Sequence, residues 1–136
     1  MSITVCTGKL HRVRVTGARL DYEGSITIDS RLMAAAGILP FQLLHINSMA
    51  NAVHWETYAI EGAAGKGEIL LNGCPARLFQ PGDQVIILAL EQMERAQAAR
   101  VRQKVVLVDE HNRIRSVELK GLRRRSGAQP RTRRSV

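Results

Sequence analysis

Aromatic side chains are scarce in this sequence: one Trp, two Tyr and two Phe make up 4% of the residues. So few rings leave little surface on which nucleic-acid bases could stack. Cysteine is sparser still, with only Cys6 and Cys74. The two lie far apart and outside any Cys-x-x-Cys or Cys/His spacing, so the expectation is reduced thiols and no metal site. No apolar run approaches the roughly 20 residues of a membrane-spanning helix. No basic segment leads into an apolar stretch and a small-residue cleavage site. Together these absences predict a cytoplasmic protein without a membrane partner. Acidic residues are missing altogether from residues 120–136, "KGLRRRSGAQPRTRRSV", which hold one Lys and six Arg. The rest of the chain carries 13 basic and 12 acidic residues, so the net charge of +8 describes a nearly neutral body with a basic tail. Such a tail can bind phosphate backbones through counterion release. An Arg-, Ser- and Gly-rich end is first of all expected to be a solvated, disordered extension, and nucleic-acid binding is expected, if anywhere, only through it.

What is present fits one folded domain: 136 residues are enough to bury roughly two-thirds of the unfolded chain's surface. "KLHRVRVTG" approximates a period of two, with Leu10, Val13 and Val15 set against Arg12 and Arg14. "SITI", "QLLHIN", "HWETYAI", "EILLNG", "VVLVD" and "IRSVEL" are further strand candidates, and the nearly continuous apolar run "VIILAL" suits a strand buried on both faces. Turn signals in "AAGKG", "PGDQ" and "EHNR" separate them. In "DSRLMAAAGILP", Asp29 or Ser30 can cap a short helix that Gly37 ends before Pro40. "EQMERAQAARVRQ" is helix-like in composition. Short strands, Gly- and Pro-bearing turns and one or two small helices predict a closed or nearly closed all-β barrel.

Within "DYEGSITID" the pair Gly24-Ser25 interrupts a strand pattern. Glycine there loosens a strand or marks a bulge or a close approach, and serine adds a nucleophile. A serine hydroxyl can attack the preceding carbonyl and convert the amide into an ester. The shift is uphill, because amide resonance is lost, and becomes competitive only with strain and donors aimed at the oxyanion. Glycine on the carbonyl side tolerates unusual backbone angles and lets a donor approach. Elimination from the ester gives a dehydroalanine, and its hydrolysis leaves an N-terminal pyruvoyl group. That carbonyl can form a Schiff base with an amine and accept electrons from a departing carboxylate.

The dipeptide alone does not decide between this chemistry and a bulge. "GKLHRVRVTGARLDYEGSITID", "AAGIL", "WETYAI", Asn72-Gly73 and "PGDQVIILA" together resemble, in order and spacing, the pyruvoyl-dependent aspartate 1-decarboxylase family. The resemblance covers roughly residues 1–115. It implies a mainly β protein, a double-psi β-barrel with one or two short helices over residues 1–115, self-cleavage between Gly24 and Ser25, and a basic tail over 116–136. It further implies a covalently bound pyruvoyl cofactor derived from Ser25 and a homotetramer with active sites between subunits. The activity implied is conversion of the small-molecule substrate L-aspartate to β-alanine and carbon dioxide, on the way to pantothenate and coenzyme A. By the same resemblance Thr57 supports cleavage and Tyr58 is the catalytic proton donor, since a phenol keeps its proton at neutral pH. Lys9 holds a substrate carboxylate, Asn72 and Gly73 belong to the loop approaching the pyruvoyl group, and Tyr22 lies near the cleaved bond. His11, His45 and His111 are expected to be wall, strand and turn residues.

The departures from the pattern fall where substrate should bind. The family's Asn-Gly-x-Arg is here Asn51-Ala52-Val53-His54, and its Asn-Gly-Ala-Ala is Asn72-Gly73-Cys74-Pro75. An imidazole cannot make the bidentate clamp of a guanidinium, a loss of roughly 1.5–3 kcal/mol for a charge-assisted contact. Pro75 has no N–H to donate. Arg19 stands where an aspartate is usual. Self-cleavage is therefore expected to survive, with turnover of aspartate weakened or redirected to another amino acid. A non-enzymatic basic barrel is the competing reading, and an inactive relative of the enzyme a third.

Overall fold

The structure is a computed structural model that describes residues 1–21 and 23–121; Tyr22 and most of the basic tail lie outside the described residues. Nine strands form one hydrogen-bonded sheet. In chain order they are β1 (Ser2–Arg14), β2 (Gly17–Arg19), β3 (Ser25–Asp29), β4 (Leu43–Ser48), β5 (His54–Gly62), β6 (Ile69–Asn72), β7 (Gln84–Glu94), β8 (Arg102–Val108) and β9 (Ile114–Gly121). Helix α1 (Ser30–Ala36) follows β3, a 3-10 turn occupies Cys74–Leu78, and α2 (Arg95–Ala98) is a single turn. The spatial order is β2-β6-β3-β5-β4-β7-β1-β8-β9. The ladder is open between β2 and β9, but β2 follows β1 after only two residues. The ring of β1, β7, β4, β5, β3, β6 and β2 therefore closes along the chain itself, with Thr16 N–H donating to the Ile69 carbonyl at 2.8 Å across the seam. This is a mainly β, barrel-like architecture with short helices, extended beyond β1 by β8, which adds Val106 to the core, and by β9.

Alternation fills the ring. Leu10, Ile26, Ile28, Leu44, Ile46, Ile69, Leu71 and Ile87 are all fully buried, drawn from alternate positions of five strands as a one-sided sheet requires. In β1 the sequence spacing from Leu10 to Val13 is odd, and the strand corrects it with a bulge between those residues. Arg12 there takes φ +60°. Helix α1 closes one end with Leu32, Met33 and Ala36, and Gly8 packs so closely on the Ala36 carbonyl that a Cβ would collide with it. Asp29 caps α1 through Arg31 N–H (2.8 Å) and also accepts from Gly65 (3.2 Å) and Gly67 (2.6 Å). Burial pushes its carboxyl up, but the three backbone donors outweigh that and hold it below the ordinary carboxylate range. Gly37 ends the helix at φ +75°, as its sequence position predicted.

One expectation needs correction. "VIILAL" is not buried on both faces: β7 alternates buried and half-exposed residues, because each strand of the ring has only one face toward the core. The helix-like composition of "EQMERAQAARVRQ" yields only the one turn of α2, because Ser2–Val5 in β1 pair with Glu91–Glu94 and strand pairing overrides helix propensity. Strand β9 continues past residue 115, pairing with β8 through Gly121. Among the described residues no helix is long and apolar enough to cross a membrane.

Candidate active site

Ser25 opens β3 between two neighbours of opposite direction. On one side it pairs with Asn72 at the end of antiparallel β6. On the other, the parallel ladder to β5 starts at Ile26↔Ala59, so the Gly24-Ser25 bond comes just before that ladder on one strand and Thr57 and Tyr58 just before it on the other. Paired residues share a face, so Ile26 and Ala59 point into the core while Ser25, Asn72 and Tyr58 lie on the opposite face. Local sequence sets this up: β-branched Ile26, Thr27 and Ile28 hold β3 extended, which fixes the direction of the serine preceding them.

Ser25 is 1% exposed and Asn72 3%. The Asn72 carboxamide donates from Nδ2 to Ser25 Oγ at 3.0 Å and to Thr27 Oγ1 at 3.1 Å. With those bonds accepted, the Ser25 hydroxyl donates to the Glu23 carbonyl at 3.4 Å. Asn72 Oδ1 is buried without a partner, a loss of roughly 1–3 kcal/mol for a desolvated acceptor. A buried hydroxyl held from two sides beside a peptide carbonyl, with an unused acceptor on the same amide, is a site built for a nucleophile and for a further donor.

Gly24 does not show the strained backbone that the sequence suggested. Its φ is not in the left-handed region, and a Cβ there would meet only the Asn72 carbonyl at 3.9 Å. Left-handed geometry appears instead at Gly73, with φ +91°. Asn72-Gly73 is thus no hairpin turn. Asn72 ends a strand, Gly73 N–H donates to the Arg19 carbonyl at 2.8 Å, and the 3-10 turn begins with exposed Cys74 and buried Pro75.

Thr57 is buried on the core side of β5, and among the described residues no hydrogen bond joins it to Ser25. Tyr58 is half-buried, with the Phe41 ring 6.2 Å away. Lys9 is half-buried on β1, which β5, β4 and β7 separate from β3. Nothing among the described residues joins it to Ser25 within one chain.

His54 belongs to a different cluster at the start of β5. Its Nδ1 is 2.7 Å from Asn47 Oδ1 and its Nε2 3.0 Å from Glu56 Oε2. His45 Nε2 lies 3.5 Å from that same oxygen, and the two imidazoles meet edge to face at 5.0 Å. The hydrogen bond from His54, with the nearby His45, holds the Glu56 carboxyl below its ordinary value. Sequence reasoning singled out His54 but missed Asn47, Glu56 and His45. The signal existed only across strands: the β4/β5 ladder pairs His45 with Glu56 and Asn47 with His54.

Residues 1–115 match the family model described as aspartate decarboxylase. The chain belongs to the aspartate decarboxylase family. It is 51% identical over 114 residues to the aspartate 1-decarboxylase 2 of Gloeobacter violaceus, covering 84% of this chain and 91% of that relative. The aspartate 1-decarboxylase of Carboxydothermus hydrogenoformans is 48% identical over 120 residues, 88% of this chain and 94% of the relative. Among solved structures, the rationally designed mkDPBB_sym_86 protein aligns with a TM-score of 0.47 at 14% identity, covering 60% of this chain and 95% of the design.

Proposed function

We propose that this member of the family cuts its own chain between Gly24 and Ser25 and then works as a carboxy-lyase on an amino acid, with L-aspartate to β-alanine and carbon dioxide the leading reaction. The observation that carries the reading is the buried Ser25–Asn72 hydrogen bond, just before the β3/β5 ladder that Thr57 and Tyr58 also precede. Attack of Ser25 Oγ on the Gly24 carbonyl carbon forms a C–O bond and breaks the C–N bond, leaving an ester and a free amine on Ser25. Loss of the Ser25 Cα proton expels the Gly24 carboxylate, and hydrolysis of the resulting dehydroalanine releases ammonia and leaves a ketone. Thr57 precedes the β3/β5 ladder on β5 as Gly24 does on β3, and its hydroxyl is the donor we assign to the oxyanion that forms there.

The residues present fit a pyruvoyl group at position 25: the Asn72 carboxamide lies against that position, where its Nδ2 could donate to the group and its free Oδ1 could accept from the substrate amine. That group supplies the sink for the electron pair left by departing carbon dioxide. Tyr58, on the same face as Ser25, is the side chain positioned to return a proton to the substrate carbon. Lys9 is too far round the barrel to serve its own chain. Exposed Phe41 and Leu43, which flank Tyr58 by ring contact and by pairing, fit burial by a neighbouring copy, so we assign the site to a subunit boundary in a homotetramer, with Lys9 supplied across it to hold a carboxylate.

Intact mass of the purified full chain, followed by trapping with a carbonyl-specific probe, tests the proposal. Two fragments, the longer one labelled at its N-terminus, are expected. A single full-length mass after long incubation, or fragments that take up no probe, would overturn it. Steady-state rates over an amino-acid panel then decide between aspartate and a redirected substrate.

A further inference from the structure

The polar cluster across β4 and β5 is more than a surface ion pair. His54 Nδ1 faces Asn47 Oδ1 at 2.7 Å. An amide oxygen only accepts, so Nδ1 donates to it; Nε2 then donates to Glu56 as the imidazolium and offers a lone pair once the ring is neutral. Nε2 lies 3.0 Å from Glu56 Oε2, and His45 Nε2 lies 3.5 Å from the same oxygen. Two imidazole nitrogens and a carboxylate oxygen thus converge within 4.8 Å of one another, the one such group of ligand atoms found among the described residues. A metal ion that displaces the Nε2 protons would take all three atoms as ligands.

We propose that His45, His54 and Glu56 bind one divalent transition-metal ion of the zinc class. Bonds of about 2.0–2.2 Å to nitrogen and oxygen in a tetrahedral site set neighbouring ligand atoms about 3.3–3.6 Å apart, and 3.5 and 3.0 Å are within a small side-chain adjustment of that edge. Imidazole with one carboxylate suits zinc, cobalt, nickel or copper rather than magnesium or calcium. Asn47 supplies what such a site needs behind its ligands, a fixed acceptor that orients the His54 ring. The strands provide the rest, since His45 and Glu56 are directly paired and His54 lies two residues along the same face of β5. All three ligands remain partly exposed, His45 at 28%, His54 at 47% and Glu56 at 49%, so an ion can enter from solvent and a fourth position stays open to water. Among the described residues no hydrogen bond joins the cluster to Ser25, so ion binding does not depend on self-cleavage, although His54 is also the position at which substrate recognition is tested. Intact and cleaved chains are expected to take up equal amounts.

Zinc chloride titrated calorimetrically into chelator-treated full-length protein tests this. One equivalent per chain is expected. His45→Gln and Glu56→Gln should each weaken binding at least tenfold, and Asn47→Ala about 10- to 100-fold through loss of the orienting bond. His111→Gln, which alters a separate exposed His/Glu contact, should leave binding unchanged. Absence of a saturable one-to-one isotherm, or one that His45→Gln and Glu56→Gln both leave unmoved, would overturn the proposal and leave the cluster a simple imidazolium–carboxylate contact. Circular dichroism of each variant separates lost ligands from lost fold.

Discussion

Two stretches of β5 face different tasks. At its start, His54 and Glu56 are exposed and contact each other and the polar side chains of β4. Directly after them, Thr57 and Tyr58 precede the ladder to β3 at Ile26↔Ala59, close to Ser25, which is buried with its oxygen held by an equally buried amide. The expected cleavage residue Thr57 and proton donor Tyr58 fall in the buried stretch, and His54, the expected departure at the substrate site, falls in the exposed one. The contrast has a physical basis. A buried hydrogen-bonded group cannot be changed without leaving its partner unsatisfied, whereas an exposed side chain can be replaced at little cost in stability. One strand can therefore keep the apparatus that makes a reactive group while its recognition chemistry drifts.

The sharpest break in this comparison is Ser25→Ala. It removes the nucleophile, and intact mass should show a single uncleaved chain with no decarboxylation. Next in size, His54→Arg at the exposed end should leave cleavage untouched and raise kcat/KM for aspartate by about 10- to 100-fold, the equivalent of the roughly 1.5–3 kcal/mol of a charge-assisted contact. No gain on aspartate would mean that recognition does not run through that position. At the buried end, Asn72→Ala deletes the bonds to Ser25 and Thr27 and should slow self-cleavage about tenfold, for a net contribution of about 1–1.5 kcal/mol. An unchanged rate in a time course of fragment masses would remove Asn72 from the cleavage machinery.

The smallest effect on chemistry lies in the frame that holds β3. Asp29→Ala should lower stability by about 2–3 kcal/mol, through the lost helix cap and two unpaired glycine N–H groups, with cleavage retained. Because the folded-state pKa of Asp29 is depressed, its contribution is fully present above the unfolded value and is lost as pH falls through the folded one. Denaturant midpoints of native protein and variant should therefore converge in acid below about pH 4 and be separated at neutral pH.

Much of the frame was legible in the sequence. The Asp29 cap and Gly37 stop of α1 follow from local backbone chemistry, and the core positions of β3, β4 and β6 follow from alternation. Where local signals misled, tertiary pairing was responsible. "EQMERAQ" has helical propensity but continues β7, because β1 offers it a partner, and the apolar run "VIILAL" looks two-sided but meets the core on one face only. The nucleophile could be named from Gly24-Ser25 and the motifs around it. Its support could not: Asn72 as the donor to Ser25 depends on β6 running back along β3, 47 residues away.

By itself, then, the sequence determined which residues could do chemistry and where short elements start and stop, since capping, alternation and nucleophilicity belong to a residue and its near neighbours. Only the tertiary structure decided which of those residues meet. Ladder register is a property of two segments at once, and it alone put Asn72 on Ser25 and His45 opposite Glu56.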